Sequence, residues 1–267
     1  MSATRLDPIL ASVRANAAER RRLRSIRDLR AELAPDPARA QRFIAALGAP
    51  GMGFLTECKR ASPSAGEISN ETDLLARAQA YAAGGSNAVS VLTEQNHFGG
   101  SPEDLARVAP AGLPRLRKDF ILDEGMVLES VSMGADAILL MAVCLPGQQL
   151  SELRELARDC GLAVLLEAHN AAELERCLAV EPDLVGVNAR DLRTFEVDLA
   201  VVEDLLPRIE RRANGGPVRV AESGIRGPEE LWRVQAAGAD AVLVGEALMR
   251  AGDPAATLRQ WREALDG

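Results

Sequence analysis

Eight short apolar runs recur along the chain, each followed by a polar loop and an amphipathic segment, and this alternation restricts the fold more than any other feature. The runs are Gly53–Cys58, Ala88–Leu92, Pro114–Arg117, Ala137–Met141, Ala163–Leu166, Leu184–Val187, Val218–Ala221 and Ala241–Val244. Between them, Asp73–Ala83, Glu124–Met133, Gln148–Cys160, Ala171–Ala179 and Glu229–Ala236 carry apolar residues at helical spacing. Strands that alternate with helices pair in parallel, because each crossover returns the chain to the same edge. Three crossovers close on Ala83-Gly84-Gly85, Met133-Gly134-Ala135-Asp136 and Ala237-Gly238-Ala239-Asp240, where glycine caps a helix just before the next strand. No strand is followed by G-x-G-x-x-G or a P-loop, so the best signal for an open doubly wound sheet is missing. The expected fold is α/β, a closed (β/α)8 TIM barrel.

The length of 267 residues suits one such barrel. Residues 49–267 are expected to form it and residues 1–48 an N-terminal helical extension. In the extension, Leu6, Ile9, Leu10, Val13 and Ala17 share one face of a helix over 6–17. Pro35, Pro37, Pro50, Gly51 and Gly53 read as punctuation before the first strand.

A formal charge of −8 argues against non-specific nucleic-acid binding, which needs a basic face. Arg20-Arg21-Arg22 and Arg211-Arg212 sit beside acidic residues and read as solvated helix faces. The four cysteines lack C-x-x-C or zinc-like spacing and fit reduced thiols. The first thirty residues are rich in charge and lack a continuous apolar stretch, so no signal peptide is expected, and no apolar run approaches membrane-spanning length. A soluble, cytoplasmic protein with neither nucleic acid nor membrane as partner is expected.

In a parallel barrel the active site lies at the carboxyl ends of the strands. Those ends here read Glu57 and Lys59, Thr93 and Glu94, Lys118, Met141, Glu167, Asn188 and Arg190, Glu222 and Ser223, then Gly245 and Glu246. Any strand leaves a core through polar residues, but that accounts less well for a whole ring of them. Lysine usage sharpens the point: of 31 basic residues only Lys59 and Lys118 are lysine. Arginine cannot exchange a proton near neutral pH, whereas a desolvated or charge-coupled lysine can. Both lysines fall at strand ends, so both are candidates for catalysis or ligand binding. Glu57 and Glu167 are candidate acid–base groups; Glu222 reads equally well as an orienting partner. Ser223, Gly224, Gly245 and Glu246 occupy the strand-seven and strand-eight corner, where barrels often bind phosphate through backbone N–H groups. Lys59 would add charge there, while Glu246 must turn its carboxylate away. His97 and His169 have no nucleophile at triad spacing, and His169 reads as an ordinary loop residue. Cys58 should face away from Lys59, and no metal-ligand cluster is evident.

The segments Glu57-Cys58-Lys59-Arg60-Ala61-Ser62-Pro63-Ser64, Leu116-Arg117-Lys118-Asp119-Phe120-Ile121, Gly186-Val187-Asn188, Ala221-Glu222-Ser223-Gly224-Ile225 and Val244-Gly245-Glu246-Ala247-Leu248-Met249 occur in this order. Together the chain resembles the indole-3-glycerol-phosphate synthase family of tryptophan biosynthesis. The resemblance implies a monomeric, cofactor-free carboxy-lyase. Its small phosphorylated substrate would be 1-(2-carboxyphenylamino)-1-deoxyribulose 5-phosphate. Its products would be indole-3-glycerol phosphate, carbon dioxide and water. It further implies that Lys118 acts at the substrate ketone, that Glu167 and Lys59 form an acid–base pair, and that Glu57 orients Lys59. Asn188, Arg190 and Ser62 would meet the anthranilate carboxylate or the hydroxyls. Phe98, Phe120 and Leu139 would enclose the aromatic ring, and Ser223, Gly224, Gly245 and Glu246 would hold the phosphate. Which lysine or glutamate serves each proton transfer stays open, as does association with other enzymes of the pathway.

Ala65, Gly125, Ala168 and Ala189 depart from the residues usual in that family, which leaves a substituted anthranilate open as the preferred substrate. The alternatives are another phosphate-binding barrel of amino-acid biosynthesis, such as a sugar-phosphate isomerase, or a degenerate barrel that only binds. An isomerase would leave both lysines and Arg190 without a clear purpose.

Overall fold

A computed structural model describes residues 5–62, 66–67, 73–211 and 215–266; side chains of 62, 66 and 67 are not described. The strands are β1 (Gly53–Cys58), β2 (Ala61–Ser62), β3 (Gly66–Glu67), β4 (Ala88–Leu92), β5 (Arg115–Lys118), β6 (Ala137–Met141), β7 (Ala163–Ala168), β8 (Leu184–Asn188), β9 (Val218–Glu222) and β10 (Ala241–Val244). The helices before and between the early strands are α1 (Leu6–Leu23), α2 (Ile26–Ala31), α3 (Pro37–Leu47), α4 (Leu74–Ala83), α5 (Asp104–Arg107) and α6 (Glu124–Ser132). After β6 come α7 (Gln149–Asp159), α8 (Ala171–Leu178), α9 (Ala200–Leu205), α10 (Pro228–Ala236), α11 (Glu246–Arg250) and α12 (Pro254–Asp266).

All the strands but β2 and β3 join in one closed parallel barrel, in the order β1-β10-β9-β8-β7-β6-β5-β4. This is the (β/α)8 TIM barrel expected from the alternation. β1 closes it by pairing with both β10 and β4. Every barrel strand except β5 is buried along its whole length. That explains the continuous apolar runs, since a strand covered by helices outside and side chains inside has no wet face.

The entry to several strands repeats one device. Asn87 Oδ1 accepts from the Phe54 amide at 2.9 Å, Asp136 Oδ2 from Arg115 at 2.8 Å, and Asp240 Oδ2 from Arg219 at 2.9 Å. A side chain just before one strand thus ties the start of its neighbour and sets the register.

Several sequence expectations need correction. β5 begins at Arg115 rather than Pro114, because proline has no amide to give the ladder. β7, β8 and β9 run on to Ala168, Asn188 and Glu222, so the polar ends remain in the sheet. α1 extends to Leu23. The segment read as punctuation contains α3: Asp36 caps the Ala38 amide, and Pro37 occupies a first-turn position where its missing N–H costs nothing. After α6 and α10 the caps are Met133 and Ala237, with the left-handed Gly134 and Gly238 one residue beyond. α1 packs Leu6, Ile9, Val13 and Ala17 into the core and is pinned by Arg20 to Glu129 and Arg21 to Asp123.

Candidate active site

The carboxyl ends of the barrel strands surround a cavity of about 540 Å³. Its walls include Glu57, Lys59, Lys118, Glu167, Asn188, Arg190, Glu222, Ser223, Gly224, Gly245 and Glu246, with Phe98, Phe120 and Leu139 among its apolar residues. The strand-end residues singled out from the sequence lie on this one wall except Thr93 and Glu94, which bond instead to Asp119 and to the loop carrying Phe98; the side chain of Ser62 is outside the described residues. Ala65 also lies outside them.

Strand alternation explains the segment Arg117-Lys118-Asp119-Phe120. Lys118 points into the cavity, whereas Arg117 points out toward α6. There its guanidinium is fully buried, donating to Thr93 Oγ1, Met126 O, Ser130 Oγ and Asp119 Oδ2. Asp119 also accepts from Thr93 Oγ1 at 2.6 Å and from the Phe120 amide at 2.8 Å, which fixes Phe120. Phe98 faces Phe120 with ring centroids 6.1 Å apart. Its loop folds around the buried Glu94 carboxylate, which accepts from the amides of Asn96, His97 and Phe98. The two rings form an apolar wall, a setting suited to a planar aromatic group.

At the cavity floor, Lys118 Nζ lies 2.9 Å from Glu167 Oε2 and 3.6 Å from Glu222 Oε2. Burial disfavours the ammonium, but the field of Glu167, Glu222 and Glu57 overrides this and holds the Lys118 pKa above its ordinary value. Glu167 is also buried, yet Lys118 and His169 hold it well below the usual carboxylate range. Glu222 goes the other way. Burial and then the neighbouring Glu167 push it well above that range, against the pull of Lys118. Two carboxyl groups beside one ammonium are therefore driven in opposite directions, Glu167 toward the carboxylate and Glu222 toward the neutral acid.

A second pair stands across the cavity, where Lys59 Nζ lies 2.7 Å from Glu57 Oε1. The ion pairs at the cavity are thus Lys118 with Glu167 and Lys59 with Glu57. β10 ends beside the second pair at Gly245. A β-carbon there would come within 2.5 Å of Glu57 Oε1 and 3.1 Å of Lys59 Nζ, so only glycine leaves both side chains their places. At the neighbouring strand end, Ser223 has φ 68° and Gly224 φ 79°. A left-handed serine costs about 1 kcal/mol of backbone strain. Glu246 turns its carboxylate to Arg250, 3.2 Å away and exposed.

Asn188 Oδ1 accepts from the Arg190 amide at 3.0 Å, and Arg190 Nη1 donates to Phe195 O at 3.1 Å. Arg190 pairs with Val197 across a short hairpin that brings Leu192, Phe195 and Val197 to the cavity. The Arg5 guanidinium stacks 5.5 Å from the Phe195 ring centroid, tying the start of the chain to this hairpin.

His169 corrects the sequence expectation most sharply. It does sit in a loop, but its ring is nearly buried and Nε2 lies 3.1 Å from Glu167 Oε1. A search for a triad could not find it, because its neighbour is a carboxylate and not a nucleophile. The signal available was its place two residues after Glu167, at the turn where β7 meets α8.

A closed parallel barrel with an ammonium flanked by two buried carboxyl groups at the carboxyl ends of its strands places the chain among acid–base enzymes of the TIM-barrel class. The model of the family described as indole-3-glycerol phosphate synthase matches residues 6–261. An indole-3-glycerol phosphate synthase from Nocardioides is 45% identical over 96% of this chain and 96% of its own. Indole-3-glycerol phosphate synthase 2 from Streptomyces coelicolor is 43% identical over 95% of this chain and 97% of its own. Among solved structures, a thiamine phosphate pyrophosphorylase from Pyrococcus furiosus matches with a TM-score of 0.60 at 15% identity, covering 84% of this chain and 97% of that one. That last likeness concerns the fold alone. The chain belongs to the indole-3-glycerol phosphate synthase family.

Proposed function

We propose that this chain closes the indole ring of 1-(2-carboxyphenylamino)-1-deoxyribulose 5-phosphate, releasing carbon dioxide and water to give indole-3-glycerol phosphate. The observation that carries the reading is the floor of the cavity, where the Lys118 ammonium lies 2.9 Å from the buried Glu167 carboxyl and 3.6 Å from that of Glu222.

The substrate lies with its aromatic ring against Phe98, Phe120 and Leu139. Its phosphate sits in the corner of Ser223, Gly224, Gly245 and Glu246 amides, with Lys59 beside it. The ring carbon bearing the carboxylate attacks the ketone carbon. As that bond forms, the carbonyl electrons move to oxygen, where the Lys118 ammonium stabilises the charge and supplies a proton. Loss of carbon dioxide returns the electron pair to the ring. The hydroxyl then leaves as water with a proton from an acid, and a base removes the last proton to complete the indole. Glu222 and Glu167 carry the protonation states these two steps call for. Asn188 and Arg190 meet the carboxylate and hydroxyls, and Glu57 steadies Lys59.

The same reading has the chain working in the cytoplasm as a monomer, which sedimentation tests. No helix among the described residues is long and apolar enough to cross a membrane. The deciding assay follows indole-3-glycerol phosphate fluorescence from synthetic substrate. An isomerised sugar phosphate in place of that product would transfer the chain to the isomerase reading, and binding without turnover to a scaffold role.

A further inference from the structure

Glu167 is held from two sides. Opposite Lys118, His169 places Nε2 3.1 Å from Glu167 Oε1, and only 9% of the histidine side chain is exposed. The other ring nitrogen, Nδ1, lies 2.8 Å from Glu173 Oε2. Glu173 is itself fixed: Oε2 accepts from the His169 amide at 2.9 Å, and Oε1 accepts from Asn170 Nδ2 at 2.7 Å. The Glu173 amide donates to Asn170 Oδ1 at 3.0 Å, which makes Asn170 the N-cap of α8. A helix start needs only the asparagine and the glutamate. It does not need an imidazole enclosed between two carboxylates.

We propose that His169 is a positioning residue for the reaction: clamped by Glu173, it fixes the Glu167 carboxylate in its orientation toward Lys118 and keeps it ionised. The proposal rests on the role given to Glu167 above. Burial alone would favour a neutral ring, but the Glu167 carboxylate beside Nε2 and the hydrogen bond to Glu173 raise the imidazole to about 10, so it is cationic at neutral pH. The other groups facing the cluster are Lys118 on β5, Glu222 on β9, and the thiols of Cys144 and Cys177. Burial with nearby carboxylates pushes both thiols up to about 12, so they stay neutral. Arg14 and Arg176 act on these thiols too. A row of alternating charge results, from Glu173 through His169 and Glu167 to Lys118. His169 Nε2 makes no aligned hydrogen bond, so its hold on Glu167 is an ion pair.

The chain has two histidines, so His97→Asn leaves His169 as the sole imidazole in a nitrogen NMR titration. In that background the ring should stay charged from about pH 6 to about pH 9, and titrate at lower pH when Glu167→Gln or Glu173→Gln is added. A ring that titrates near about 6.5 in all three proteins overturns the proposal, whether or not the chain turns over substrate. Absence of turnover in the unaltered chain would count against the functional reading and leave the NMR result standing. In the turnover assay, His169→Asn and Glu173→Gln should lower kcat by about tenfold to a hundredfold with KM within about threefold. The acid limb of the kcat profile should move to higher pH, because Glu167 without its cation ionises less readily. An unmoved acid limb, with lower kcat explained by a falling melting temperature, refutes the proposal. Glu173→Gln carries the kinetic test if His169→Asn does not fold.

Discussion

Glu222 occupies space that exists only because residue 186 is glycine: a β-carbon on Gly186 would overlap Glu222 Oε1. The ladder pairs Gly186 with Glu167 on one side and Val220 on the other. The Glu222 carboxyl, from β9, leans over this gap toward Lys118 and Glu167 on the far side of β8. Gly186→Ala should therefore displace Glu222 and lower kcat at least about tenfold, with about 1–3 kcal/mol of destabilisation from overpacking. A double-mutant cycle with Glu222→Ala reads the coupling. Strictly additive losses would mean that the glycine acts on something other than Glu222.

Lys118→Ala removes the cation at the cavity floor and strands two carboxyl groups that faced it. Turnover should fall by more than about a thousandfold, while a product analogue still binds within about tenfold. Calorimetry on the variant measures the second figure. Near-normal turnover would withdraw Lys118 from the chemical step.

Gly245→Ala should act on binding, since the added methyl group meets Glu57 and Lys59 at the anion corner. KM for the phosphorylated substrate is expected to rise about tenfold or more, with a smaller change in kcat. A kcat loss at unchanged KM would place the phosphate elsewhere.

His169 also makes stability depend on pH. Its pKa is raised on folding to about 10, so its contribution is fully present below the unfolded value near 6.5. It is lost as pH rises through about 10. The melting temperature of the unaltered chain should thus fall toward that of His169→Asn as pH climbs across this window. Parallel melting curves over the same range would contradict the linkage.

Arg117 sits one residue from Lys118 but belongs to the barrel wall. Arg117→Leu leaves Asp119 without its cation and Glu129 short of one neighbour, and should cost about 3–5 kcal/mol. Urea unfolding measures it. Catalysis should suffer mainly through Phe120, which Asp119 steadies.

The eight barrel strands were legible because a strand buried on both faces must be written as a continuous apolar run. Their carboxyl ends were less so: Glu167, Asn188 and Glu222 are polar yet remain in the ladder, because the cavity and not bulk water receives them. α3 was hidden by its own prolines, since Pro37 reads as a breaker unless Asp36 is taken as a cap. The ring of candidate residues was visible from position alone. Their partners were not, because the pairing of Lys118 with Glu167 depends on how the barrel closes. The placing of Glu222 beside Lys118 depends on the space left at Gly186, which carries no chemistry of its own. His169 is not legible as a functional residue because its partners are carboxylates two and four positions away, not a nucleophile at triad spacing.

β1 and β10, near the two ends of the barrel sequence, lie side by side at its seam. The corner shared by Lys59 and Gly245 is therefore absent from any chain still being synthesised, until the last strand has emerged and docked. A nascent chain carries Lys59 and Glu57 early but lacks Gly245 beside them until then. With the phosphate held at this corner as proposed above, affinity for inorganic phosphate would report on whether the seam has zipped, and a polypeptide cut between β9 and β10 should regain it only when both pieces are mixed.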